Sequence, residues 1–333
     1  MSTSSGVLFE TFLNQHDDEA WAEVMDSLLP LIHEVDQTAT RIWFHFYPLA
    51  LARALQQSDD PAALANKLVL QGRYRLTDQI DSSHAFLYGH RYWPQVKQAI
   101  IAHANSSSVL SGQTLTEQIK HVAQQVSNEL NQPFSLFIGI TAVGFMTVQQ
   151  VGLSAFMQAD GAIRLPQHVA ARSPQQVLAC RARDDRQGWL AWFKYPDKVW
   201  TITFDENDPH ATFKLINSQH LTTAAAHDKR PYHLRDSRCI INEGPIPVQC
   251  RAGSCGTCWV GVLGGAEKLS PVSSFERQRM KEFGYIDTDE EKPIIRLACQ
   301  AQAYGAVSIV IPPWSGVLGR YLRQRQRASA NIG

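Results

Sequence analysis

Cys250-Arg251-Ala252-Gly253-Ser254-Cys255-Gly256-Thr257-Cys258, with Arg296-Leu297-Ala298-Cys299-Gln300 farther along, is the part of this 333-residue chain on which its fold turns. Three cysteines fall within nine residues at C-x4-C-x2-C spacing, and forty residues separate Cys258 from Cys299. Cysteines crowded in this way suit metal ligation better than a disulfide framework. The N-terminus agrees: residues 1–21 hold no basic start and no apolar run, and the first charges, Glu10, Asp17, Asp18 and Glu19, have the wrong sign for export. The expectation is a cytoplasmic protein whose thiols stay reduced. Four thiolates can satisfy one zinc ion or two sulfide-bridged irons. Zinc ligands usually come as two short cysteine pairs, so a three-plus-one distribution with glycines inside the loop favours the irons.

The spacing, together with the strings RAGSCGTC and RLACQ, resembles the plant-type [2Fe–2S] ferredoxin family over about residues 195–315. The resemblance implies a β-grasp domain, one [2Fe–2S] cluster, and metal ligation by Cys250, Cys255, Cys258 and Cys299. It also implies cofactor contacts from Arg251, Gly253, Ser254, Gly256 and Thr257. One iron would be shared by Cys250 and Cys255, the other by Cys258 and Cys299. Glycines here admit backbone angles closed to other residues and let amide N–H groups approach the sulfurs. Such bonds favour the more negative reduced state and raise the potential. By the same resemblance, a helix over residues 234–243, closed by Gly244, precedes the cluster loop. Ser273 and Glu276 have capping-box spacing, so a second helix is expected over 273–283, ended by Gly284. Three departures stand out: the forty-residue spacing with its acidic Asp287, Asp289, Glu290 and Glu291, an apparent insertion at 220–230, and the lack of a strongly acidic surface. The docking partners of photosynthetic ferredoxins are therefore not carried over.

The rest of the chain reads as a second domain. With 44% apolar and 19% charged residues it is globular, and 31 Lys+Arg against 31 Asp+Glu argue against a nucleic-acid coat. Residues 1–190 are mainly helical. Trp21, Val24, Met25, Leu28 and Ile32 share one helical face, with Pro30 kinking or ending the helix, and residues 42–55 carry Pro48 in the same way. Thr114 and Glu117 have capping-box spacing, and Leu115, Ile119, Val122, Val126 and Leu130 continue a stripe. Residues 133–159 contain no charge, yet Gln149, Gln150 and three glycines favour buried core or a domain interface over membrane insertion. A polar connector with Arg181, Arg183, Asp184, Asp185, Arg186 and Gln187 puts the boundary near residue 190. Strand periodicity follows at 198–204, 210–216, 259–263 and 306–311. The expected layout is α+β: a helical domain at 1–190, a β-grasp ferredoxin domain at 191–318 and a basic tail at 319–333. Residues 1–190 carry 13 basic and 17 acidic side chains, the remainder 18 and 14, with Arg320, Arg323, Arg325 and Arg327 supplying much of the excess.

Several residues tempt without deciding. Cys180 and Cys239 read as small buried hydrophobes. His84 with His90, and His33 with His45, match no metal spacing and read as structural. Trp43, Phe44, Phe46 and Tyr47 read as core. The arginine tail could meet anionic lipid or an acidic partner, but a solvated or disordered end is the favoured reading, leaving peripheral association with a membrane complex as the alternative. Nucleotide-binding and nucleophile-elbow motifs are missing, as is a second cysteine cluster. The sequence thus reads as a one-electron carrier without its own substrate turnover. Its helical domain would dock it to a redox partner protein: a reductase, an oxygenase or a larger electron-transfer complex. The alternatives are an electron-transfer subunit of a multi-component oxidoreductase, with substrate or a second cofactor in the helical domain, and an iron–sulfur redox sensor or assembly factor.

Overall fold

The computed structural model of the chain describes residues 4–106, 112–184, 198–284 and 290–330. The boundary expected near 190, the connector residues Asp185, Arg186 and Gln187, and Asp287 and Asp289 lie outside the described residues. The chain forms two units, one made of residues 1–57 and 75–175, the other of 58–74 and 176–333.

In the first unit the uncharged stretch supplies the central helix. Helices α1 (Ser4–Asn14), α2 (Asp18–Leu28), α3 (Glu34–Phe46) and α4 (Leu49–Gln56) open the chain; α5 (Pro61–Lys67) belongs to the other unit. Then follow α6 (Trp93–Ala104), α7 (Leu115–Leu130), α8 (Ser135–Val151), α9 (Leu153–Gln158) and the short α10 (Gln167–Ala170). α8 is apolar on every side, and such a helix needs neighbours all round. It has them in α1, α3, α4, α6, α7 and α9. Each fully buried Leu, Ile, Val or Phe on it contributes roughly 1.5–3 kcal/mol, and Phe137, Ile138, Ile140, Val143 and Phe145 are all inaccessible. Gly139 and Gly144 serve close approach. A Cβ there would stand 2.5 Å from Thr40 Oγ1 and 2.3 Å from Ile100 Cδ1 respectively. No described helix is long and apolar enough to cross a membrane.

Local signals hold where they are strongest. Thr114 and Glu117 form a reciprocal capping box at the start of α7. Leu115, Ile119, Val122 and Val126 are buried, while Leu130 at the helix end is half-buried. Pro30 sits in a 3-10 turn (Leu29–Leu31) that breaks the chain after α2, and Pro48 separates α3 from α4.

The second unit is built on a five-stranded mixed sheet. Its strands are β2 (Val199–Thr203), β3 (Thr212–Ile216), β4 (Trp259–Gly264), β5 (Ile295–Leu297) and β6 (Val307–Val310), in the order β3-β2-β6-β4-β5. β2 and β6 run parallel; the other neighbours are antiparallel. β1 (Gln71–Gly72) and β7 (Trp314–Ser315) form a separate antiparallel pair. The Val317 N–H donates to the Leu68 carbonyl (2.8 Å), which holds residues 58–74 in this unit. Around the sheet lie α11 (Pro174–Cys180), α12 (Leu221–Ala225), α13 (Ser274–Phe283) and α14 (Gly319–Ala330). With the helical first unit, this makes the chain α+β with a β-grasp second part.

Three expectations are corrected here. Residues 234–243 are turns, not a helix. Pro231 starts a 3-10 turn (Tyr232–Leu234), Asp236 Oδ1 takes the Arg238 N–H (3.0 Å), and Asn242 is left-handed (φ +64°). Such side-chain bonds compete with a helical ladder. The helix before the loop is α12, inside the segment read as an insertion. Cys180 is exposed rather than buried. The arginine tail is helical: Arg323 donates to the carbonyls of Lys281 and Glu282 (3.0 Å each) at the end of α13, and Leu318 N–H donates to Phe283 O (2.8 Å). These donors satisfy helix-terminal carbonyls that would otherwise need water.

Candidate metal centre

Strand register does the first part of the assembly. β4 begins directly after Cys258, β5 ends two residues before Cys299, and Trp259 lies opposite Leu297. The Ala298 N–H donates to the Cys258 carbonyl (2.9 Å), continuing the pairing and placing the two cysteines side by side. The Cys258 thiol donates to the Cys299 sulfur. That bond, reinforced by burial, raises Cys258 well above the ordinary thiol range. The same bond lowers Cys299 to about 7 against the effect of burial, with help from the Gln300 side chain and the Gly253 N–H. Gln300 Nε2 lies 3.5 Å from Cys299 Sγ.

The loop supplies the other two thiols. Arg251, Gly253 and Gly256 adopt φ of +54°, +70° and +69°, folding the chain back on itself between Cys250 and Cys258. Burial pushes the Cys250 thiol up. Donation by the Ser254 and Cys255 side chains and by the Ala252 and Cys255 amides outweighs it and brings the thiol down to about 6. The Ala252 amide is 3.4 Å from the sulfur. Thr257 Oγ1 accepts from the Gln249 N–H (3.1 Å) and lies 3.1 Å from Cys255 Sγ. The Arg251 guanidinium pairs with the Glu243 carboxylate and reaches the Thr222 carbonyl (3.4 Å), tying the loop to its scaffold. All nine residues singled out in the sequence thus belong to one loop-and-strand assembly. Its thiols approach as two pairs, Cys250 with Cys255 and Cys258 with Cys299. Cys258 and Cys299 are buried, Cys250 and Cys255 partly exposed.

The supporting residues were not evident from the sequence. A Cβ on Gly253 would stand 2.8 Å from the Phe275 ring, and one on Gly256 3.2 Å from Phe283, so α13 presses two aromatic rings onto the loop. Glu276, expected to close a capping box, instead takes both Arg296 Nε and Nη2 (2.8 and 2.9 Å) and the Leu297 N–H (3.0 Å), locking α13 to β5. Only the Ser273 half of the box forms. Charged residues at 276 and 296 were visible in the sequence; their buried meeting depends on tertiary placement.

Cys239 stands apart from the four. Buried, its thiol faces the Pro245 carbonyl (3.5 Å) and is pushed up to about 11. In the helical unit His84 and His90 are buried with Nδ1 atoms 2.9 Å apart. Burial, then the neighbouring His90, holds His84 well below the ordinary imidazole range; burial also lowers His90 to about 4. His33 caps α3 through Val35 N–H, and His45 Nδ1 contacts the Arg41 carbonyl (2.7 Å). Among the described residues, no group of three or more His, Cys, Asp or Glu side chains is spaced to hold a single ion.

On the mixed sheet with its clamped helix, three of the four cysteines lie in one loop and the fourth follows the end of β5, an arrangement suited to an iron–sulfur domain. Residues 239–304 match the family model of the 2Fe-2S iron-sulfur cluster binding domain, a domain that binds a [2Fe–2S] cluster. No solved structure matches the chain. The four-thiol donor set, two members of it already lowered toward thiolate, fits such a cluster.

Proposed function

We propose that the chain is a one-electron carrier. In this reading Cys250, Cys255, Cys258 and Cys299 hold the cluster, and the helical part, taken as residues 1–190, docks the carrier to a specific redox partner. The cluster, when bound, supplies one reversible electron. Gly253 and Ala252 amides and the Gln300 amide side chain direct donors at ligand sulfurs, which stabilises added negative charge and raises the potential. Phe275 and Phe283 pack on the loop at Gly253 and Gly256, and Arg251 fixes its base through Glu243. The single observation that carries the reading is that the loop and the paired ends of β4 and β5 bring the cysteines together as two thiol pairs, Cys250 with Cys255 and Cys258 with Cys299, inside the segment that matches the cluster-binding family model. Support for a docking role comes from the packing of the helical part: its uncharged segment is consumed by its own core, and no catalytic motif appears in it.

Anaerobic iron and sulfide analysis of the intact protein, with visible and spin-resonance spectra before and after reduction, tests this. Two irons and two sulfides per chain with a one-electron reduced signal are expected. Replacing any one of the four cysteines with Ala should abolish or severely deplete the cluster, whereas Cys180→Ala and Cys239→Ala should retain it. Normal cluster content in Cys299→Ala would overturn the ligand assignment.

A further inference from the structure

α13 and α14 border an open groove of about 1030 Å³ lined by Arg277, Arg279, Lys281, Arg320 and Arg323, with Glu282 the acidic side chain among the lining residues. Glu282 is engaged by Arg279 (2.6 Å) and Arg320 (3.6 Å), Arg277 reaches the Glu290 carbonyl (3.3 Å), and basic side chains outnumber acidic ones among the lining residues. Like charges on adjacent turns repel and weaken the helices that carry them. Residues 319–333 add no acidic residue to offset them. Phe275 stands between the groove and the cluster loop: its neighbour Ser274 lines the groove, and its own ring, in a residue 41% exposed, packs against Gly253. The Arg279 guanidinium stands 5.2 Å from the centre of that ring.

We propose that this groove is the docking surface for the acidic face of a redox partner protein, which comes to rest beside the cluster loop. The inference deepens the carrier reading and rests on it. Guanidinium forks match carboxylates in bidentate fashion, and Arg dominates the groove. An exposed aromatic ring beside a cluster of arginines suits a protein interface, with the charges setting encounter rate and partner choice. The link to the cluster loop through Phe275 serves a partner that exchanges electrons; a lipid surface gains nothing from it. The sign is opposite to that of an acidic carrier that seeks basic partners.

Stopped-flow mixing of the reduced, full-length, cluster-loaded protein with an acidic haem protein, cytochrome b5, and a basic one, cytochrome c, tests the surface. The second-order rate to cytochrome b5 should fall roughly tenfold or more between about 10 and about 300 mM salt. Lys281→Glu/Arg320→Glu should cut that rate about tenfold at low salt. Lys214→Glu, on the opposite edge strand β3, should change it less than about twofold. Iron content and spectrum verify folding of the double variant; if it fails to fold, Arg320→Gln, whose side chain is 56% exposed, should still slow the rate by roughly twofold to threefold. A rate unaffected by charge reversal overturns the proposal and leaves the carrier reading intact. Charge-sensitive sedimentation with phosphatidylserine vesicles, at unchanged electron-transfer rate, overturns it in favour of a membrane. Failure to reduce either acceptor refutes the carrier reading, and the docking surface with it.

Discussion

The six cysteines divide by environment. Cys239 is buried with its thiol raised to about 11, so at neutral pH it is neutral and shielded; Cys180 is exposed on α11. Thiolate character and access together govern alkylation. Treating the folded, cluster-loaded protein with iodoacetamide at pH 8 should label Cys180 within minutes and leave Cys239 unlabelled until denaturant is added, as read by peptide mass spectrometry. A second prediction concerns Glu276 and Arg296, whose side chains are 1% and 3% exposed. Arg296→Met leaves a carboxylate buried without its partner, and should cost about 3–5 kcal/mol in urea denaturation. A loss under about 1 kcal/mol would show that water reaches the pair. At this scale the ligand set was legible because C-x4-C-x2-C confines three thiols to one loop. The roles of Gln300, Phe275 and Glu276 were not, since each depends on which segment α13 happens to cover.

Elements were legible in proportion to how local their causes are. α7 carries its own start signal and its own stripe, and the sequence located it closely. Thr114→Ala removes the cap and should destabilise the helical unit by about 1 kcal/mol, measured as a shift in the denaturation midpoint with unchanged slope. The helix before the cluster loop was misplaced because residues 234–243 contain helix formers whose preference is overridden by Asp236, Asn242 and the preceding Pro231. The short α12, Leu221–Ala225, looked like inserted chain because five residues give too little periodicity to see. α14 was hidden for another reason: its arginines look solvated in sequence, yet Arg323 earns a fixed place by capping carbonyls of α13. β1 has two residues, and nothing near Gln71 announces its partner Ser315.

For the molecule as a whole, acid should be a specific stress. His84 and His90 are buried beside Trp93, with Asp81, Lys97 and Arg91 the charged groups that act on them. Their folded-state affinities for protons are lowered, so between about pH 6.5 and about pH 4 the unfolded chain binds protons that the folded one does not. Stability is therefore complete above that window and falls as pH drops through it. On His90 alone the loss at pH 5 relative to pH 7 should be on the order of 2 kcal/mol, read from urea midpoints at the two pH values. His84→Phe/His90→Phe should flatten the dependence, and an unchanged slope in that variant would assign the acid sensitivity elsewhere. The second unit adds a constraint of another kind. Its β1–β7 pair joins residues roughly 240 positions apart. On a ribosome adding about 5–20 residues per second, Gln71 waits roughly 12–50 s for Ser315 to emerge. The last strand pair of the second unit is thus a late event of synthesis, and a chain stalled before residue 314 holds all four cysteines in a unit still missing that strand pair.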